Sequence, residues 1–220
     1  MTYRETLENM SCGPLPSAKE EKWRSADLGA IYDQEFRPAA PSSMQKLRDS
    51  GIHPLLIKLD EPRIVFVDGF FSKELSNIRH LDRGVILENL STAMKTHKKI
   101  IESYLERSGD THDNFFRKVN ARQAKDSAFV YVPEGLRITQ NVHVIFVASD
   151  QQSQAFVFYP RSLVIAGQKS RLNFVTHNLS SAHVPYLANQ SVELYIEEGA
   201  EMNWIHLDRG SEESHQILNV

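Results

Sequence analysis

Past Asp126 the chain stops reading as helix and begins reading as strand, and this change of period constrains the fold more than any other feature. Short apolar runs stand between turn residues: 128–132, 142–148, 155–159, 163–166, 172–176, 192–196 and 202–207. Pro133-Glu134-Gly135, Gly167, Glu198-Gly199 and Gly210 punctuate them, and no helical period intervenes. Charge shifts at the same place. Residues 1–125 hold 20 Lys/Arg and 18 Asp/Glu, whereas residues 126–220 hold 5 and 10. The expected organisation is α+β. A helical region with a small β-hairpin near 63–72 occupies 1–125, and a β domain occupies 126–220. Sandwich, barrel and solenoid all satisfy the strand pattern, and the spacing is too uneven to count a repeat. Gln216–Val220 ends in an apolar stretch, which reads as the first part of a longer protein. Cut there, a solenoid would expose an unpaired edge and dissolve poorly.

In the first region, Ser17 and Glu20 have capping-box spacing ahead of Trp23, after the breakers Gly13-Pro14-Leu15-Pro16. Pro38-Ala39-Ala40-Pro41-Ser42-Ser43 is a second break. Arg63–Val67, Asp68-Gly69 and Phe70-Phe71 predict a hairpin, since Asp-Gly between apolar runs favours a tight turn. Leu90, Ala93, Met94, His97, Ile100, Ile101, Tyr104 and Leu105 recur at helical spacing, predicting a helix from Ser91 to Arg107 ended by Gly109. A further helix is expected from Asp113 to Ala124.

The chemistry-bearing residues form no specific constellation. A net charge of −3 argues against nucleic-acid binding through bulk positive charge. No 18-residue apolar run predicts a membrane helix, and Met1–Met10 has neither signal nor transit character. With one cysteine, a cytoplasmic, reducing location fits. Cys12 reads as an incidental loop thiol. The histidines His53, His80, His97, His112, His143, His177, His183, His206 and His215 include no His-x-His or His-x-x-x-His pair, so scattered surface or half-buried roles are expected. Glu193, Glu197, Glu198, Glu201, Glu212 and Glu213 read as a solvated face of turns. Arg161, after Pro160, either binds an anion or ties down a carbonyl or carboxylate on the next strand, and the second is favoured. P-loop, Gly-x-Gly-x-x-Gly and Gly-x-Ser-x-Gly motifs are absent.

Several stretches in order carry a resemblance. They are Trp23-Arg24-Ser25-Ala26-Asp27-Leu28, Val65-Phe66-Val67-Asp68-Gly69-Phe70-Phe71-Ser72 and Phe116-Arg117-Lys118-Val119-Asn120-Ala121. Val132-Pro133-Glu134-Gly135, Val142-His143-Val144-Ile145-Phe146 and Pro160-Arg161-Ser162-Leu163 through Gly167 and Ser170 continue the series. Together they resemble the SufB/SufD family, nearer its SufD branch because of the residue-63 hairpin. Ala26, Ser127, Thr176 and Trp204 depart from the family pattern, and Leu187–Glu193 follows it only in part.

The resemblance implies a right-handed parallel β-helix, here only its first rungs, behind the helical region. It implies a non-catalytic scaffold subunit of the SUF iron–sulfur cluster assembly complex, acting with SufB and the ATPase SufC. The Fe–S cluster and ATP would be handled by the assembled complex, with no cofactor bound by this chain alone. No catalytic, cofactor-binding or metal residue is assigned, because the family's cluster-related residues lie in a later region. Nucleic acid and membrane are not expected partners. Two other readings are weaker: a cupin-like metal-binding β domain lacks its His-x-His, and a carbohydrate-active β-helix protein would carry more Lys/Arg after residue 125.

Overall fold

The computed structural model of the chain describes residues 1–48, 56, 60–79, 81–82, 84–105, 114–180 and 185–220. It is an α+β fold of short helices and mostly parallel sheets. The strands are β1 (Arg37–Pro38), β2 (Arg63–Val67), β3 (Phe70–Phe71), β4 (Ile86–Asn89), β5 (Ala128–Val132) and β6 (Arg137–Ala148). They continue as β7 (Phe156–Phe158), β8 (Arg161–Ala166), β9 (Arg171–Ser180), β10 (Tyr186–Ile196), β11 (Glu201–Arg209) and β12 (His215–Asn219). The first sheet runs β1-β7-β10-β8-β5-β4 with β12 beside β10, and the second runs β11-β9-β6-β2-β3. Among the described residues, the antiparallel pairings are β2–β3, β4–β5 and a single bridge from Arg63 to Asn77.

From β5 onward the parallel registers advance in near-constant steps, whereas β1 and β2 join from far earlier in the chain, Arg37 beside Phe156 and Arg63 beside His143. Arg161 pairs with Ser191 and Arg171 with Glu201, each a step of 30 residues. Ala128 pairs with Ser162, a step of 34, and Leu187 with His215, a step of 28. β6 drifts from a step of 34 at Arg137–Arg171 to 32 at Asn141–Asn173, across an irregularity between Arg137 and Asn141. These shifts hide the period from a count of strand spacings. β7 and β8 lie end to end along β10 at one offset, interrupted by Tyr159-Pro160, where proline cannot donate to the ladder.

The two sheets face each other across a core of Ile64, Phe66, Val130, Val144, Phe146, Val164, Phe174, Tyr186 and Val192. Where helices cover them, the outer faces are apolar as well, which is why β2, β5, β7 and β8 read as continuous hydrophobic runs, while β11 alternates and stays largely exposed. The helices supply the covers: α1 (Tyr3–Asn9), α2 (Leu28–Tyr32), α3 (Met44–Arg48), α4 (Leu90–Thr96), α5 (Lys98–Leu105) and α6 (Phe115–Gln123). α1, α2 and α6 pack over Val157, Tyr159, Leu187 and Ile217. α4 and α5 bring Ala93 and Ile101 onto Phe129, Leu163 and Ile165. Leu47 of α3, with Leu56 and Leu75, covers Val65, Val67, Ile145 and Val147.

Several local expectations are corrected. The helix predicted from Ser91 to Arg107 is two, α4 and α5, broken where His97 leaves helical geometry at φ −130°, ψ 28°. The break lets each half set its own apolar residues on the sheet: Leu90, Ala93 and Met94 from one, Ile100, Ile101 and Tyr104 from the other. Arg107, Gly109 and Asp113 lie outside the described residues. Ser17 N–H does donate to the Glu20 carboxylate at 3.0 Å, yet only a three-residue 3₁₀ turn, Glu21–Trp23, follows. The capping box that starts an α-helix is Thr2 with Glu5, at the head of α1. The break at Pro38 holds the short strand β1, paired with β7. The 63–72 hairpin forms as read, with Asp68 at φ +52° and Gly69 at φ +87°, the positive pair of a type I′ turn.

α6 starts where Asn114 caps it, its side-chain oxygen accepting from Phe116 N–H at 3.0 Å and Arg117 N–H at 3.4 Å. Asn114→Ala is expected to lower stability by about 1 kcal/mol, the usual cost of losing such a cap. Urea denaturation of the two proteins reads this, and an unchanged midpoint contradicts it.

Candidate functional site

α6 lies on the outer face of the first sheet and brings a charged cluster down onto it. Glu193, on β10, accepts from Arg161 Nη2 at 2.5 Å and sits 3.7 Å from Arg117 Nη2. Its side chain is 2% exposed. The acidic residue read as part of a solvated face is therefore fully interior, because its strand lies under α6. Arg161 takes the favoured role, tying a carboxylate on the neighbouring strand, and its far side lines a cavity of about 270 Å³ shared with Ser91, Lys125 and Ser127. Beside the triad, Asn120 Nδ2 donates to the Pro160 carbonyl at 2.8 Å and the Asn189 carbonyl at 2.7 Å, and Asn189 Nδ2 donates to Phe116 O at 2.9 Å. The remaining glutamates of the run stay near turns, with Glu198, Glu201, Glu212 and Glu213 exposed and Glu201 beside Arg137 and Arg171.

The outer face of the second sheet gathers a cluster that no short-range motif announces. His143 on β6 and His177 on β9 lie 34 residues apart, yet parallel pairing sets them on one face, two positions off register. His143 Nδ1 is 2.8 Å from His177 Nε2, and His143 Nε2 is 2.8 Å from Glu61 Oε2. Glu61 also accepts from Asn141 N–H at 3.2 Å and Asn141 Nδ2 at 2.8 Å. Burial, then the neighbouring His143, Arg209 and His206, push the His177 imidazole down to about 4. Burial alone would raise the Glu61 carboxyl, but the hydrogen bonds from His143 and Asn141 outweigh it and hold it below its usual range.

Other candidates find structural places. Cys12 is buried rather than in an open loop, its sulfur 3.4 Å from Arg122 Nη1. His206 Nδ1 lies 2.8 Å from the Thr176 hydroxyl, to which Trp204 Nε1 donates at 3.0 Å. Thr176 and Trp204, two positions departing from the motif pattern, thus bond each other. Burial lowers the His206 imidazole as well. Asp68, 1% exposed, accepts from Ser149 N–H and Oγ, from Gln152 Nε2 and from Ser42, fastening the loop after β1 to the hairpin. His97 marks the α4–α5 break, and the ring of His215 on β12 meets Phe36 edge-on at 6.5 Å. His53, His80, His112 and His183 lie outside the described residues. Among the described residues no group of three or more His, Cys, Asp and Glu has the arrangement of a metal site. Glu193 with Arg161 and Glu61 with His143 are hydrogen-bonded pairs, while Arg117 stays 3.7 Å from Glu193.

Comparison with known proteins gives a consistent result. The model of the SufBD protein N-terminal region matches residues 2–144. The iron–sulfur cluster assembly SufBD family protein slr0076 of Synechocystis is 24% identical over 214 residues, covering 94% of this chain and 46% of that protein. The chloroplastic protein ABCI7 of Arabidopsis thaliana is 24% identical over 219 residues, covering 96% of this chain and 44% of its own. The iron–sulfur cluster assembly protein SufD of Bacillus subtilis is 24% identical over 187 residues, 81% of this chain and 41% of its own. The chain thus spans somewhat under half the length of these relatives.

Proposed function

The chain belongs to the SufBD family, and on that premise we propose that it serves iron–sulfur cluster assembly as a non-catalytic scaffold subunit working with SufB and the ATPase SufC. The observation that carries the proposal is the match of the family's N-terminal region to residues 2–144, extended by relatives aligned along 94% of the chain. The geometry supports a scaffold role. Parallel strands stepping by about thirty residues in both sheets are what the rungs of a right-handed parallel β-helix require, each rung satisfying the backbone groups of the next. The ionisable clusters fasten helices and loops to that stack. In this reading the Fe–S cluster and ATP are handled by the assembled complex, and the setting is the cytoplasm. Among the described residues no helix is long and apolar enough to cross a membrane.

The test is affinity capture of the tagged protein from its native lysate, with mass spectrometry of bait and partners. Recovery of SufB and SufC is the expected result. Capture of the folded bait with neither, in repeated preparations, overturns the assembly role and leaves family membership intact.

A further inference from the structure

The Glu61–His143–His177 chain is tied to the entry of β2 and to a defect in β6. Glu61 stands two residues before β2, and Asn141, whose backbone N–H it accepts, borders the register irregularity of β6. The strand's freed amide is thereby satisfied by a side chain from another element. The two imidazole centroids are 5.1 Å apart while their nearest nitrogens are 2.8 Å apart, so the rings meet end to end, lone pair to N–H.

This geometry limits the protons the chain can hold. An ionised carboxylate only accepts, so His143 Nε2 carries a proton toward Glu61. One proton then bridges His143 Nδ1 and His177 Nε2. A further proton can be accommodated on the outward nitrogen of His177, or by making both nitrogens of His143 donors. With both imidazoles doubly protonated, two N–H groups face each other across the bridge and the hydrogen bond is lost. Cationic neighbours oppose that state: Arg209 and His206 from β11 act on His177, while Arg63 of β2 stands on the same face with Asp60 near it. Asp208, also on β11, acts on His206 with the opposite sign.

We propose that Glu61, His143 and His177 form an acid-released latch, holding the lead-in to β2 and the apolar cover beside it against the parallel sheet. The cover consists of Leu47, Leu56 and Leu75 over Val65, Val67 and Ile145. At neutral pH the bridge is intact. As pH falls, protonation of the second imidazole breaks it, the Glu61–Asn141 contact loosens, and this edge of the sheet opens before the other sheet does.

The sign follows from proton uptake. His177 titrates near 6.5 when unfolded and near 4 when folded, so the open form binds more protons between those values. Stability of the latched edge is therefore complete above pH 6.5 and falls as pH drops toward 4.

Hydrogen exchange with mass spectrometry from pH 7 to 4, corrected for the intrinsic pH dependence of exchange, tests this on the full chain. The expected result is local opening of residues 60–67 that rises by up to roughly tenfold per pH unit, the slope one proton allows, while β8 and β10 stay protected. His177→Gln, which can still bond His143 but does not titrate, is expected to flatten that slope. An unchanged slope in His177→Gln, or equal loss of protection in both sheets, overturns the proposal. Should the variant fold poorly, imidazole nitrogen shifts of the wild type decide. A shared-proton signal between His143 and His177, lost in acid, supports the latch, and independent titration of both rings near pH 6.5 overturns it.

Discussion

Replacing Glu193 by alanine is expected to cost the fold about 3–5 kcal/mol, the usual penalty for breaking a buried charge cluster by removing one partner. The side chain is 2% exposed, and the arginines it joins, Arg161 and Arg117, are 17% and 19% exposed. Without the carboxylate two cations remain, Arg117 on α6 and Arg161 on β8, both largely cut off from water. The loss is thus mostly the desolvation of unpaired arginines, more than the Coulomb energy of the pairs. Two companion variants separate these causes. Glu193→Gln keeps the shape and one acceptor for Arg161, so an intermediate loss is expected. Replacing Glu193, Arg161 and Arg117 together by leucine or methionine removes every charge and is expected to recover most of the stability. Urea denaturation of the set measures it. A Glu193→Ala protein within about 1 kcal/mol of wild type would show that water already reaches the cluster.

The same residue shows why composition alone misplaces a site. Glu193 shares its chain neighbourhood with Glu197, Glu198 and Glu201, which lie at the β10–β11 turn or at the start of β11, so counting acids put all of them in solvent. What buries Glu193 is α6, which comes from 70 residues earlier, and no local pattern encodes that meeting. Most strands past Asp126 were legible because an apolar segment has few alternatives once turn residues bound it; β5 runs over the very residues read for it, while β1, β4 and β12 were not read as strands. The hairpin was legible because Asp68-Gly69 determines its own backbone. The repeat was not, since irregularities such as the one before Asn141 change the step from 34 to 32 residues within a single strand pair. His143 and His177 were invisible for the same reason. Their contact exists only after register is set, and register depends on every intervening turn. Arg161 was read to its correct role because Pro160 fixes the start of β8 and so decides which way the next residue can reach.

Phe116→Ala is expected to lower stability by about 3–5 kcal/mol, the range for emptying a buried phenylalanine site. Phe116 is fully buried. Its ring meets Trp23 edge-on at 5.3 Å, Tyr32 stacked at 6.5 Å and Phe115 edge-on at 5.5 Å, joining the 3₁₀ turn and α2 to α6. Tyr32 is held besides by its hydroxyl on the Pro16 carbonyl and by Arg4 over its ring, whereas Trp23 sits in a three-residue turn, so Trp23 is the partner expected to move. Trp23 emission in the native state is therefore expected to shift to the red in the variant, while Trp204, on the second sheet, contributes an unchanged background. A loss under about 1 kcal/mol with Trp23 emission unaltered contradicts the assignment of Phe116 as the hub of this cover. Phe116 and Arg117 are consecutive on α6, which links the two predictions. If α6 detaches once either anchor is gone, the second loss costs little, and Phe116→Ala with Glu193→Ala is expected to fall short of the sum of the single effects. Full additivity would mean that α6 stays docked through Asn120, whose amide bridges Pro160 and Asn189 at the floor of the same helix.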